Sequence, residues 1–278
     1  MQLSMMDWNY FQKLKMEEFH ETAWMKKDHA TTSPNILALI DHFNTVSNWV
    51  KVTLLTIVQR KERVKIMRKF IQLAYVLKQM RNYSGVIAIL AGIDSGPIYR
   101  LKKTMDGIAS NKKYSNLMAD LRALTNPRKN WVSLREAIRD DLLAGSECPT
   151  PVIPYLGMLL SDLVFIDEGN PSMTGGTYSH NVSWNVSKCF VGRINVIKAV
   201  LTSNVLRIIA RIASQRFSTS AVPNAEIQSI LLCAADVKED NLYEASAYIE
   251  PKEGTPLPPT PMLLERFAPP QEVCLFVF

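Results

Sequence analysis

No run of apolar residues in this chain of 278 approaches the roughly 20 that a membrane-spanning helix needs. Cysteine is scarce: Cys148, Cys189, Cys233 and Cys274 are scattered, with no C-x-x-C pair and no histidine at ligand spacing. A disulfide framework and a structural zinc site are therefore not expected, and free thiols in a reducing cytosol are. The glycine-rich phosphate loop G-x-x-x-x-G-K-[ST], the dinucleotide fingerprint G-x-G-x-x-G and the nucleophile elbow G-x-S-x-G are all missing. Gly175-Gly176 lies in a loop stretch with no strand before it, so it is a poor phosphate cradle. The four histidines, His20, His29, His42 and His180, are not spaced as ligand pairs. No metal, no cofactor and no covalent chemistry are expected.

Charge is thin as well. The net charge of +6 is spread along the chain, and no dense Lys/Arg block interleaved with aromatics marks a phosphate-tracking surface. Nucleic acid is not an expected partner; an acidic protein surface is. The basic residues between Arg60 and Lys69 are interrupted by apolar ones at helical spacing and read as a solvated helix face. The first residues mix polar and apolar side chains, which is not the pattern of a secretory leader. The two N-x-S triplets, at Asn181 and Asn185, are then chance matches.

What is present is a helical period almost everywhere. With 47% hydrophobic and 21% charged residues, the chain is long enough to bury a sizeable core, in one large domain or two small ones. Ser33-Pro34 predicts a helix start, Ser as N-cap and Pro at the first helical position. Ile36, Leu39, Ile40, Phe43, Val46, Val50, Leu54 and Ile57 then fall on one face. Val64 to Leu77 repeats the pattern, Val86 to Ile93 is a short apolar helix, and Asp94-Ser95-Gly96-Pro97 is a turn. Pro97 opens a short helix through Met105, and 114–124 and 131–143 are amphipathic. Two further helices, from Pro154 and from Trp184 to about Ile212, flank a Gly/Ser/Thr/Pro connection at 170–180 and predict a helical hairpin. Residues 225–235 and 242–249 close the periodic part, and the Pro-rich stretch after Pro251 predicts an extended tail. Strand signals are nearly absent, so the fold class is all-α.

The most informative segment is 153–171, IPYLGMLLSDLVFIDEGNP. It is an apolar helix that carries an acid, Glu168, to its C-terminal end. An acid there opposes the helix dipole, so a purely structural role is a weak account of it.

Four blocks together resemble the catalytic domain of the Ras-type guanine-nucleotide exchange factors. They are SPNILALIDHFNTVSNWV at 33–50, IQLAYVLKQMRNYSGVIAILAGIDSGPIYRLKKT at 71–104, the segment 153–171, and LYEASAYIEPK at 242–252, in the family's order and at about its spacing. The resemblance covers roughly residues 2–252 and implies an exchange domain over 1–252 with a Pro-rich tail over 253–278. It also implies an all-helical globular domain with a protruding hairpin that opens the nucleotide site of a small GTPase. The details IPYLGM…EGNP and LYE.S..IEPK point to members acting on Ras itself, with Rap or Ral as other candidates. The implied reaction is non-covalent: GDP is displaced, the empty GTPase is held, and GTP then binds. The implied location is the cytoplasm, including the inner face of the plasma membrane.

By the same resemblance, Glu168 is a carboxylate for the lysine that the phosphate leaves, Val164 is an apolar blocker at the metal position, and Asn170 anchors the displaced switch segment. Trp24, Ile40, Asp41, Asn44, Ile87, Asp94, Tyr99, Arg100, Asn130, Trp131 and Tyr155 sit where family members grip the GTPase. For Ile40 and Ile87 a core role is equally open, and Arg100 has a structural alternative in bracing the fold. Asp94 stands where the family usually has Asn, and Asp41 where some members have a basic residue. The alternatives to exchange are a weakened relative that binds a GTPase or a scaffold partner without releasing nucleotide, and an adaptor using the Pro-rich tail.

Overall fold

The computed structural model describes residues 1–144, 150–171, 173–174, 193–217, 222–232, 237–251 and 259–266. All four cysteines, His180 and the Gly175-Gly176 pair lie outside them. The described residues are almost wholly helical. The helices are α1 (Gln2–Gln12), α2 (His29–Thr32), α3 (Pro34–Leu55), α4 (Arg60–Gln79), α5 (Tyr83–Ile93), α6 (Gly96–Tyr99), α7 (Lys102–Ala109), α8 (Lys112–Leu124), α9 (Arg128–Leu143), α10 (Leu156–Gly169), α11 (Val196–Ala213), α12 (Ala225–Leu232), α13 (Glu239–Ile249) and α14 (Met262–Arg266). A 3-10 segment occupies Met16–Met25, and the short strands β1 (Met173–Thr174) and β2 (Arg193–Ile194) pair antiparallel. None of the described helices is long and apolar enough to cross a membrane.

The chain forms two compact units. One comprises Met1–Lys13, Ala38–Tyr155 and Gln215–Phe278; the other comprises Leu14–Leu37 and Leu156–Ser214. In the first, Val46, Trp49 and Val50 of α3 pack in one cluster with Met67, Phe70 and Ile71 of α4 and Val86, Ile89 and Ile93 of α5. Val46 and Val50 of α3 and Met67, Phe70 and Ile71 of α4 lie on the stripes at steps of three and four predicted from sequence, and each fully buried side chain contributes about 1.5–3 kcal/mol. Trp49 meets Phe70 edge-on, with centroids 4.9 Å apart. At Gly92 a Cβ would come within 2.7 Å of Val50 Cβ and 2.9 Å of Ser47 O, so only glycine allows α5 this approach to α3.

Polar side chains tie the first unit together where the core does not. Asp7 receives Asn82 Nδ2 at 2.6 Å and lies 2.6 Å from His42 Nε2, joining α1, α3 and the start of α5 in a buried network. Arg63 is 1% exposed. It donates to Thr104 Oγ1 (2.9 Å), to the carbonyls of Ile57 (2.6 Å) and Val58 (3.0 Å), and to Glu250 Oε1 (3.0 Å). Burial pulls the Arg63 pKa down and Glu250 opposes that, which is the signature of a charge kept inside by its partner.

Several expectations need correction. The helix expected from Pro97 through Met105 is broken at Arg100-Leu101 into α6 and α7. The helix expected from Trp184 begins only at Val196, because 193–194 are strand and Asn195 caps the helix; 184–192 lie outside the described residues. In the stretch expected to be an extended tail, residues 262–266 form α14, and Leu263, 2% exposed, joins the core. The helix α1 carried a readable signal in Leu3, Met6 and Phe11, all buried.

Candidate functional site

The second unit holds the segment that dominated the sequence. There α10 and α11 pack as a helical hairpin, and the connection between them is pinned at its base. Met173 pairs with Ile194 and Thr174 with Arg193. Asn195 Nδ2 donates to Pro171 O at 2.9 Å, while its Oδ1 accepts from Lys198 N at 3.2 Å and so caps α11. One side chain thereby starts the second arm and fixes it to the end of the first.

The two faces of α10 are chemically divided. Leu156, Leu159, Leu160 and Leu163 follow i, i+3, i+4, i+7 and are buried. Ser161, Val164, Phe165 and Glu168 repeat that spacing on the other side, where Val164 is half-buried, Glu168 is exposed and Phe165 is 67% exposed. The acids at the tip are divided as well. Asp167 pairs with Lys198 Nζ at 2.7 Å, bracing α10 to α11. Glu168 has no hydrogen-bond or ion-pair partner among the described residues. Asn170 Nδ2 donates to Ile166 O at 3.0 Å, so it closes the helix end. A cleft of about 690 Å³ between the 3-10 segment and the two arms is lined by Phe19, Leu163, Asp167, Lys198 and Leu206, among others. It takes none of Val164, Phe165 and Glu168, which leaves that edge free. Trp24, in the same unit, is half-buried, with its ring edge-on to Phe19 at 6.2 Å.

In the first unit the structure brings some of the expected contact residues together. The Tyr155 ring lies between Phe43 and Trp131, 5.4 Å from each centroid, which joins α3 at Phe43 to the α9 start. Burial raises the Tyr155 pKa. Asp41 and Asn44 are exposed and Ile40 is half-buried. Lys129, Asn130 and Trp131 all have positive φ, at 54°, 56° and 57°, which is unusual for non-glycine residues. Arg135 holds that turn, donating to Asn130 O at 2.7 Å and Oδ1 at 2.9 Å. Two residues before Tyr155, Ile153 is held by a bridge to Asn82.

The α5–α6 residues divide differently. Ile87 is 8% exposed, which favours its core reading. Arg100 Nη1 donates to Ser246 Oγ at 3.1 Å and braces α13. Tyr99 is 56% exposed, with Lys102 Nζ 3.9 Å from its ring centroid. Asp94 is exposed, and both its oxygens are taken by Arg122 of α8: Nε donates to Oδ2 at 3.2 Å, and Nη2 donates to Oδ1. Sequence reasoning missed Phe165, which reads as core in an apolar run, and Arg122, whose partner lies 28 residues away.

The model of the RasGEF domain matches residues 1–190. The chain belongs to the RasGEF family. This RasGEF domain is 37% identical to Ras guanine nucleotide exchange factor W of Dictyostelium discoideum over 171 residues, 61% of this chain and 14% of that protein. It is 30% identical to Ras-specific guanine nucleotide-releasing factor 2 of Mus musculus over 251 residues, 90% of this chain and 19% of that protein. With Ras guanine nucleotide exchange factor Q of Dictyostelium discoideum the identity is 32% over 257 residues, 91% and 17% of the two chains. The RasGEF domain thus spans less than a fifth of the length of these relatives.

Proposed function

We propose that this chain accelerates GDP release from a Ras-family small GTPase, with the outer edge of α10 as the tool. The observation that carries the reading is the exposed Glu168, without a partner among the described residues, one residue beyond an acid paired with Lys198. A carboxylate near a helix C-terminus is unfavourable by about 0.3–1 kcal/mol, and no partner among the described residues offsets this for Glu168. A small GTPase holds its nucleotide through a lysine and a Mg²⁺ ion that neutralise the phosphates. Glu168 would pair with that lysine once the phosphate leaves. Val164, one turn earlier on the same face, would disfavour the ion by desolvating its site. Phe165 adds apolar area to the edge, and Asn170 keeps the helix end rigid while its remaining groups face the displaced switch segment. In this reading Ile40, Asp41, Asn44, Asp94, Tyr99, Asn130, Trp131 and Tyr155 of the first unit contact the GTPase, with Ile87 and Arg100 supporting them from within the fold, and Trp24 of the second unit contacts it as well. Ras is the first substrate to try, with Rap and Ral as alternatives.

The test is release of fluorescent GDP from Ras, Rap and Ral. Glu168→Ala should slow release about ten- to a hundredfold, the worth of one charge-assisted contact, while the melting temperature stays level or rises. Equal rates for Glu168→Ala and the parent would falsify the assignment. The second reading, binding without exchange, is favoured by Asp94, whose oxygens are both engaged by Arg122. It predicts capture of nucleotide-free GTPase with no faster release.

A further inference from the structure

We propose that Arg122 is a recognition residue, working with Asp94 as one element that presents guanidinium donors to a carboxylate on the GTPase. This rests on the exchange reading above and deepens it.

Asp94 closes the C-terminal end of α5. As a carboxylate it accepts hydrogen bonds and donates none. Arg122 reaches it from α8 with the Nε and Nη2 edge of its fork, so the plane of the guanidinium is fixed by two bonds to one partner. Those two bonds leave the Nη1 protons without an acceptor among the described residues. The pair is at the surface, with side chains 43% and 39% exposed. Exposed pairs of this kind contribute little to stability, because solvent screens them and two flexible side chains must be ordered. Stability alone is therefore a poor reason for the arrangement. What it does provide is a guanidinium oriented by its partner, with donors left over at the surface.

The surroundings share that character. The segment that begins at Asp94 leads to the exposed ring of Tyr99, with the Lys102 ammonium over its face. Lys102 adds a second cation in the segment that follows Asp94, and the Tyr99 ring beneath it supplies apolar contact area. The matching chemistry on a partner is an anionic acceptor, and a guanidinium already held in plane suits a carboxylate side chain. Where an amide at position 94 would donate directly, Asp94 instead aims Arg122 to do so.

The experiment compares the parent, Arg122→Gln, Arg122→Lys, Asp94→Asn and the Asp94→Asn/Arg122→Gln double variant. GDP release is measured against the concentration of the domain, with thermal melting of each protein alongside. Arg122→Gln should raise the half-saturating concentration about tenfold, the loss of one charge-assisted hydrogen bond, with the maximal rate and the melting temperature unchanged. Arg122→Lys keeps the charge and loses the fork, so it should fall between parent and Arg122→Gln. The double variant should regain most of the loss, because the new amide donates for itself. An unchanged half-saturating concentration in Arg122→Gln, or a double variant no better than that single one, overturns the proposal while leaving exchange intact. If the parent accelerates no GTPase, capture of nucleotide-free GTPase by the same proteins decides. Weaker capture by Arg122→Gln sustains the role of Arg122 without exchange, and no capture by the parent removes both readings.

Discussion

Residues in this domain reveal their duties by what they are paired with. Glu18 and Glu168 are both acids on helical segments, yet Glu18 is 3% exposed and bonded through both oxygens while Glu168 is exposed and has no partner among the described residues. Sequence made Glu168 and Val164 legible because four residues along a helix is one turn. It could not separate Phe165 from its buried neighbours, since the apolar run 163–166 looks the same on both faces. It left Ile87 and Arg100 open between contact and scaffold, and burial and the Ser246 bond settle their structural part. Tyr83 offers a titration test. Its hydroxyl donates to Asp141 Oδ2 at 2.6 Å, and burial, reinforced by that carboxylate, raises its pKa above the ordinary 10.0. Below pH 10 the phenol is neutral in both folded and unfolded chains. Above it the unfolded chain loses a proton that the folded one keeps, so this group's contribution to stability falls as pH rises. Tyr83→Phe should be less stable than the parent by about 1 kcal/mol at pH 8, for the lost hydrogen bond. That gap should close by pH 11. Urea midpoints across this range provide the measurement, and a gap that stays constant means the phenol is not held neutral.

At the scale of elements, periodicity located the helices well and local signals placed their ends less well. Ser33 holds the N-cap position of α3, its carbonyl accepting from Leu37 N at 3.1 Å, but its hydroxyl donates to Glu18 O at 3.0 Å and so does not cap the helix. The cap is Glu18 itself, whose carboxylate accepts from Asn35 N at 2.9 Å, Ile36 N at 3.0 Å and Asn35 Nδ2 at 2.5 Å. A partner 17 residues upstream, on a 3-10 segment, leaves no trace in a local motif. Glu18→Ala should therefore destabilise the fold by about 1–3 kcal/mol, for three donors left without an acceptor, and Glu18→Gln by less. Amide exchange at Asn35 and Ile36 is the direct readout, and protection equal to the parent's would refute the cap. The β1–β2 pair was illegible for another reason. Two residues are too few to show alternation, and only the closure of the hairpin connection brings them side by side.

For the whole molecule, the all-α class and family membership were readable from four blocks spread over the chain. The division into units was not, because each unit is assembled from segments far apart in sequence. The same distance hides the closing contact of the first unit, in which Glu250 satisfies Arg63 from 187 residues away and accepts from Lys103 N and Thr104 N besides. Glu250→Ala should cost about 3–5 kcal/mol, because a buried guanidinium loses its counter-charge; chemical denaturation would show it, and a loss under 1 kcal/mol would mean Arg63 finds water instead. The two faces of α10 have an opposite consequence. Since the leucine side carries most of the packing, the exposed Phe165 and Glu168 are open to substitution at little cost to folding, and the half-buried Val164 at a somewhat higher one. Under the proposed exchange reading, a descendant of this chain could shift its GTPase preference by altering those side chains singly, and a saturation library at the three positions would sample that change directly.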